Sequence, residues 1–571
     1  MGVSAFAEVI SLGAVLPFLG ILISPEKVYA IPVINSFALS WGIASPDGLM
    51  FPLTAIFILA AIAAGVVRLL LLWMTTRISF AAGSDLSIEV YRRTLYQPYA
   101  VHLARNSSEV INSIGSKVSQ AMAMLHQALV LFSSMVLMIA LFCTLILVDR
   151  STALLSILVF GSSYAAISWL IHRRLERNSH VLARESSRVI KALHEGLGAV
   201  RDVLLDGTQS VYCAIYRNAD MPLRKARASN QFILTAPRYV MEATGMVLIA
   251  ALAYWLSLHP DTRSNALPIL GTLAVGAQRM LPALQASYSA WASIVGSRAS
   301  VVDVLELLDQ PLPVDAFRPV PSPLGLARAI CVEDVNFRYR DDGPWVMRDI
   351  NFTIAKGERV GFVGSTGSGK STMLDLLMGL LEPTHGRLMV DGNPIEKNNR
   401  LAWQQTIAHV PQSIYLADAS IAENIAFGVP SESVDIKRVR HAAEQAQISD
   451  FIESSSEGYA ALVGERGIRL SGGQRQRIGI ARALYKRASV LLFDEATSAL
   501  DNATEQAVMD SIENLDRSLT VIMIAHRLTT VQRCDRIIQL EGGRIVAQGT
   551  FRELIAENSH FRTMANARAD G

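Results

Sequence analysis

The chain has 571 residues, too many for one core, and 51% are hydrophobic against 18% charged, with a mean hydropathy of +0.31. That balance excludes an ordinary soluble domain and points to membrane spans. The net charge of +2 gives no reason to expect a nucleic-acid partner, and the four cysteines, Cys143, Cys213, Cys331 and Cys534, lack the spacing of a zinc site or a disulfide framework.

In chain order, six apolar runs fill the first half: Val3–Ser24, Pro52–Met74, Gln127–Val148, Ser151–Ile171, Tyr239–Leu258 and Ala266–Val295. The two charge-free runs, Gln127–Val148 and Ser151–Ile171, are each near the roughly 20 residues that cross a bilayer, and the other four carry one charge each. The first begins beside Met1 and contains Pro17, so a short or truncated helix is expected there; no basic region or A-x-A site marks a cleavable leader. Residues 77–120 hold five Lys/Arg and 172–236 hold eleven, against one each in 25–51 and 259–265. By the positive-inside rule the two long basic segments face the cytoplasm. They read as helices extending inward, with Val189, Leu193, Leu197 and Val200 at helical spacing. Stretches around Asn106–Ser113 and Gly207–Tyr216 are candidate docking elements for the second half of the chain. Five prolines between Gln310 and Leu324 mark a semi-extended linker. The expected division is 1–308 transmembrane, 309–326 linker and 327–571 a soluble α/β domain.

That second domain carries a phosphate loop, Gly364-Ser365-Thr366-Gly367-Ser368-Gly369-Lys370-Ser371, between the strand-like run Arg359–Val363 and an apolar helix from Thr372. Its glycines let backbone N–H groups face phosphates, Lys370 supplies charge to the β/γ-phosphates, and Ser371 offers a hydroxyl to Mg²⁺. The run Val490–Phe493 ends in Asp494 and Glu495, the pattern of a buried parallel strand with acids at its ligand edge. Asp494 is the Mg²⁺ candidate and Glu495 the general base for the attacking water.

Leu470-Ser471-Gly472-Gly473-Gln474, together with the phosphate loop, resembles the signature of the ATP-binding-cassette (ABC) family over about the last 240 residues. The resemblance implies ATP and Mg²⁺ as cofactors and further roles by position. Tyr339 looks like the aromatic that stacks on adenine, with Phe337 and Trp345 as alternatives. Thr372 follows the phosphate loop into its helix. Gln412 looks like the loop glutamine that senses Mg²⁺. Glu465 resembles an acidic element of exporters. Asp501 resembles the subunit-crossing aspartate, and His526 the histidine on the γ-phosphate. In this family the Ser471 helix faces the phosphate loop of a second subunit, and both Glu495 and His526 are present here, so a homodimer is implied. The fold implied is multi-domain: an all-α six-helix transmembrane domain of the type I/IV ABC exporter plus an α/β P-loop nucleotide-binding domain.

Arginine within a bilayer is costly and usually faces a cavity or a partner. Arg68, Arg238 and Arg279 are therefore candidate contacts for an anionic substrate, with a Glu242 pair as the plainer reading of Arg238 and Glu8 as a candidate partner of Arg68. Glu8–Leu19, Ala236–Gly245 and Arg279–Leu284 resemble bacterial lipid-linked oligosaccharide flippases of the N-glycosylation type. That resemblance implies an ATPase in the cell (inner) membrane, embedded in the lipid bilayer, moving an amphipathic lipid-like pyrophosphate oligosaccharide to the outer leaflet. Alternatives are a multidrug, lipid or peptide exporter, or an ATP-gated channel or regulator.

Overall fold

The computed structural model describes residues 2–23, 26, 29–30, 32–40, 45–148, 150, 154–155, 157–258, 266–313, 316, 319–495, 502–513, 518–524, 528–559 and 561–562. The chain divides into two compact units, Met1–Gln97 with Ala104–Leu312, and Pro98–Leu103 with Pro313–Gly571.

The first unit is helical. Its long helices are Gly2–Ile23, Met50–Leu95, Val118–Val148, Ser162–Gly198, Gln209–Leu258 and Ala266–Leu308; the described residues of five of the apolar runs fall on them, and of the run Ser151–Ile171 only the second half does. Among the described residues, Met50–Leu95, Ser107–Thr144 and Gln209–Ala251 are long and apolar enough to cross a membrane. Gly2–Ile23 runs continuously for 22 residues, not the short helix the sequence suggested. Close helix contact is made by small side chains, as expected where lipid offers no competing hydrophobic drive. Thr75, Ser79 and Gly83 lie one turn apart on the buried side of Met50–Leu95, and a Cβ on Gly83 would meet Met122 Sδ at 2.4 Å. The apolar stripe at Val189 does not stay covered: Leu193, Leu197 and Val200 are exposed, as are Leu204 and Leu205 beyond them.

The basic segments make polar contacts inside this unit. Lys117, buried, donates to Asp303 Oδ2 at 2.6 Å, and Asn112 Nδ2 donates to Ser186 and Ser187, each at 3.0 Å. Asn106–Ser113 is thus packed into the helical unit. The neighbouring segment Pro98–Leu103 is the one grouped with the second unit, where Tyr99 packs on the core.

The second unit holds two sheets. Strands β1 (Ala329–Phe337), β2 (Met347–Ala355), β4 (His385–Val390) and β5 (Asn393–Pro394) form an antiparallel sheet in the order β2-β1-β4-β5. Strands β3 (Arg359–Gly364), β6 (Ile407–Val410), β7 (Val490–Asp494), β8 (Thr520–Ile524), β9 (Arg536–Glu541) and β10 (Arg544–Gly549) are ordered β10-β9-β3-β8-β7-β6. Here β6, β7, β8, β3 and β9 are parallel neighbours, and β10 returns antiparallel. A parallel strand covered on both faces must be apolar throughout. Accordingly every residue of β8 is buried, as are the first four of β7. One core, with Phe362, Met373 and Trp403, lies beneath the phosphate-loop helix; the other, with Ile478, Val439 and Ile452, lies under the helices between β6 and β7.

Candidate ATP site

The candidate residues converge because parallel strands bring their carboxyl ends to one edge, where an open α/β sheet takes its ligand. β3 ends at Gly364, β6 leads through Pro411 to Gln412, and β7 ends at Asp494 with Glu495 next.

The phosphate loop is shaped by backbone constraints. Gly369 precedes the helix Lys370–Leu377 with φ 100, a left-handed conformation that a side chain resists. At Gly364 a Cβ would meet the Leu540 carbonyl oxygen at 2.2 Å, so the loop lies flat on β9. Lys370 is buried and donates from Nζ to the carbonyls of Gly364 (3.0 Å) and Ser365 (2.9 Å), which spans the loop from its helix side. The Ser368 hydroxyl is buried without a hydrogen-bond partner. A cradle of backbone N–H groups with a buried lysine, an orphaned hydroxyl and a helix N-terminus fits a polyphosphate. Ser371 and Asp494, hydroxyl and carboxylate, are the oxygen donors Mg²⁺ prefers.

Gln412 Nε2 donates to Glu495 Oε2 at 2.7 Å, across 83 residues of sequence. Glu495 has φ 52, so the chain turns sharply where the carboxylate leaves the strand. The Tyr339 hydroxyl lies 3.1 Å from Thr372 Oγ1, fixing an exposed ring beside the phosphate-loop helix. The two alternatives are engaged elsewhere: Phe337 is buried in the core, and Arg338 lies over Trp345 at 4.8 Å.

The signature has its own geometry. Ser471 caps the helix Gly472–Tyr485, accepting from Gln474 N at 3.2 Å, while Gln474 Oε1 accepts from Ser471 N at 2.8 Å. This reciprocal box satisfies two terminal N–H groups and leaves the Gly472–Gly473 end exposed or half-exposed. Glu465 is exposed on the short turn Glu465–Gly467 before it. Asp501 and His526 lie outside the described residues, the latter two positions past the end of β8.

One acid escaped the sequence reading. Asp375 sits one turn after Ser371, and burial, then the nearby Asp494 charge, push its carboxyl up to about 6. The spacing of four from Ser371 was the available signal, since it places both on one helix face.

In the helical unit, Arg68 lines a cavity of about 540 Å³ together with Ser4, Thr75, Ser133, Ser134 and Pro282. Arg238 Nε donates to Glu242 Oε1 at 2.8 Å, the intrahelical pair, on an exposed face. The side chains of Arg279 and Glu8 lie outside the described residues.

A helical membrane unit joined to a phosphate-loop ATPase with a serine-capped signature helix defines an ATP-driven transporter. Residues 18–267 match the family model of the ABC transporter transmembrane region, and residues 347–498 that of the ABC transporter. The chain is 30% identical over 507 residues to the Beta-(1-->2)glucan export ATP-binding/permease protein NdvA of Rhizobium meliloti, covering 86% of this chain and 83% of that one. It is 41% identical over 293 residues to an ATP-dependent lipid A-core flippase of Alkalilimnicola ehrlichii, about half of each chain (51% and 49%). A solved structure of a bacterial Atm1-family ABC exporter with ATP bound is similar with a TM-score of 0.78 at 25% identity, over 99% of this chain and 97% of that one. The chain belongs to the ABC transporter family: it is a membrane exporter half with a cytoplasmic nucleotide-binding domain, an ATPase coupled to transport.

Proposed function

We propose that the protein works as a homodimer that flips an anionic amphipathic lipid, a pyrophosphate-linked oligosaccharide, from the cytoplasmic to the outer leaflet. The observation that carries the cargo reading is Arg68 in the wall of a cavity bounded by helices that cross the membrane. A guanidinium held at membrane depth is stabilised by an anion, and its planar donors suit phosphate oxygens. Arg238 and Arg279 are the further candidates the sequence offers, and a second copy doubles the set. The similarity to proteins named as a lipid A-core flippase and a glucan exporter agrees with a lipid or saccharide cargo.

The dimer reading is supported by two features. The Ser471 helix presents a half-exposed N-terminus, an end suited to an anion. The cytoplasmic tip of the helical unit exposes Leu197, Leu204 and Leu205 with no apolar cover among the described residues of its own chain. In the proposed cycle, ATP held by Lys370, Ser371 and the loop amides of one subunit meets Ser471 of the other. Glu495, oriented by Gln412, takes the proton of the attacking water. Closure of the ATPase pair turns the cavity outward, and loss of phosphate resets it.

Reconstitution in vesicles with purified pyrophosphate-linked saccharides tests the reading. Arg68→Ala and Arg279→Ala are expected to lose flipping while keeping basal hydrolysis. Flipping at the native rate by the double variant would remove the pyrophosphate argument and leave the lipid A-like or drug cargo.

A further inference from the structure

The helix Gln209–Leu258 contains Pro237 well inside its length. A proline there has no N–H to give the carbonyl four residues back, and its ring pushes that carbonyl aside. The orphaned acceptor is Ile233 O. It lies in a dry cluster with Phe160, Tyr164, Met241 and Met280, where Ile233 itself is only 4% exposed, so bulk water is no substitute.

A neighbouring helix supplies the missing donors. Tyr288 OH donates to Ile233 O at 3.0 Å. Three residues earlier, Gln285 Nε2 donates to Leu234 O at 2.9 Å, and Ser289 Oγ donates to the same carbonyl at 3.3 Å. The amide is aimed from behind: Tyr164 OH donates to Gln285 Oε1 at 2.9 Å, which turns the nitrogen toward Leu234. Tyr288 of the helix Ala266–Leu308 thus supplies the donor that Pro237 removes, and Gln285 and Ser289 tie the next carbonyl to the same helix.

We infer that Gln285, Tyr288 and Ser289 are positioning residues of the transport cycle, a clamp that holds the Pro237 break in one bend and fixes the Arg238–Glu242 pair on the turn beyond it. Freed carbonyls in a membrane helix are satisfied by neighbouring helices. When both carbonyls are served from one partner helix, the bend angle becomes a property of the pair: the two helices move as a unit until the hydroxyl and the amide let go. The place of Arg238 at the cargo rests on the proposed function; the bend does not.

The test is a mutant cycle in the full-length protein in lipid nanodiscs. Tyr288→Phe removes only the hydroxyl, and Pro237→Ala restores the N–H that Ile233 O lacks. Spin labels on Phe232→Cys and Met246→Cys, both exposed and on opposite sides of the break, report the bend in a chain without its native cysteines. Tyr288→Phe is expected to broaden the label distance distribution and to lower ATP-driven transport about tenfold, the effect of one unsatisfied buried acceptor. Basal hydrolysis stays within about twofold of native, because the ATP site is untouched. In the Pro237→Ala background the same Tyr288→Phe change is expected to alter neither readout. Equal broadening in both backgrounds would make Tyr288 a packing residue, and no broadening in the native background would remove the clamp; either result overturns the inference. The distance readout needs no cargo, so a clamp that holds while Arg238→Ala flips lipid normally would condemn the cargo reading alone.

Discussion

Gly479→Ala separates stability from turnover. Gly479 lies inside the signature helix Gly472–Tyr485 and is buried. An added Cβ would sit 2.0 Å from Ile414 Cδ1, 3.1 Å from its Cγ1 and 3.3 Å from its Cγ2. Rotating the terminal methyl relieves the first contact but not the other two, so Ile414 as a whole must move. Overpacking of this kind costs about 1–3 kcal/mol. Alanine in place of glycine within a helix returns about 1 kcal/mol. The net is a loss of about 0–2 kcal/mol, which for a unit of this size is a Tm fall of at most about 8 °C. The effect on turnover is expected to be larger. Ile414 is two residues from Gln412, whose amide holds Glu495 Oε2 at 2.7 Å. A shift of about 1 Å in a group that orients the reaction lowers the rate about 100-fold. Steady-state hydrolysis and fluorescent-nucleotide binding on the reconstituted protein should therefore show native ATP affinity with a sharply reduced kcat. Native kcat beside a lowered Tm would refute the link from helix to glutamine loop.

Glu495→Gln is expected to bind ATP and lower turnover by about 100-fold or more, read as trapped ATP after filtration, because the amide cannot accept the water proton. Lys370→Ala should weaken ATP binding itself, since it removes both the charge and the ties to Gly364 O and Ser365 O; equilibrium binding that matches native would exclude the loop-spanning role. Two half-buried groups outside the membrane make opposing contributions to pH-dependent stability. Asp375, held up to about 6, keeps its proton in the folded state, so it lowers stability as pH rises from about 4 to 6. Burial lowers His409 to about 4 and leaves its Nε2 without a partner, so it raises stability as pH climbs from about 4 to 6.5. Asp375→Asn is thus expected to leave a Tm that rises across that window, and His409→Gln one that falls; parallel profiles in both variants would contradict the assignment.

How much of the fold and site was legible depends on what kind of constraint each residue answers to. Phosphate chemistry dictates both residue type and spacing, so Gly364–Ser371, Asp494, Glu495 and the Ser471 signature announced themselves, and the parallel strands between them were implied by unbroken apolar runs such as Val490–Phe493. The spans were equally plain, since a bilayer imposes a length. The hidden features depend on contact and have no spacing of their own. Nothing in Pro98–Leu103 says that it groups with the ATPase unit, while Asn106–Ser113, the candidate docking stretch, is held in the helical unit by Asn112. Gly479 reads as a weak point in a helix until Ile414 is placed against it. The helical spacing from Val189 to Val200 was real, yet the stripe is bare beyond Val189, because a period reports amphipathicity and not which surface covers it.

The same distinction explains Pro237. Read in sequence it is a breaker two residues before the apolar run Tyr239–Leu258, and the nearby Arg238 and Glu242 stand out as charges. Its consequence is that Ile233 O takes its donor from Tyr288, on another helix, while Gln285 and Ser289 tie the next carbonyl, Leu234 O, to that same helix; each of the three is unremarkable in an apolar run. Backbone satisfaction is a complete accounting in lipid, where an unserved carbonyl has no solvent to fall back on. A proline in a span therefore implies donors on a neighbouring helix. Those donors, unlike the arginines, mark where two helices of the membrane half are tied together through the backbone of one of them.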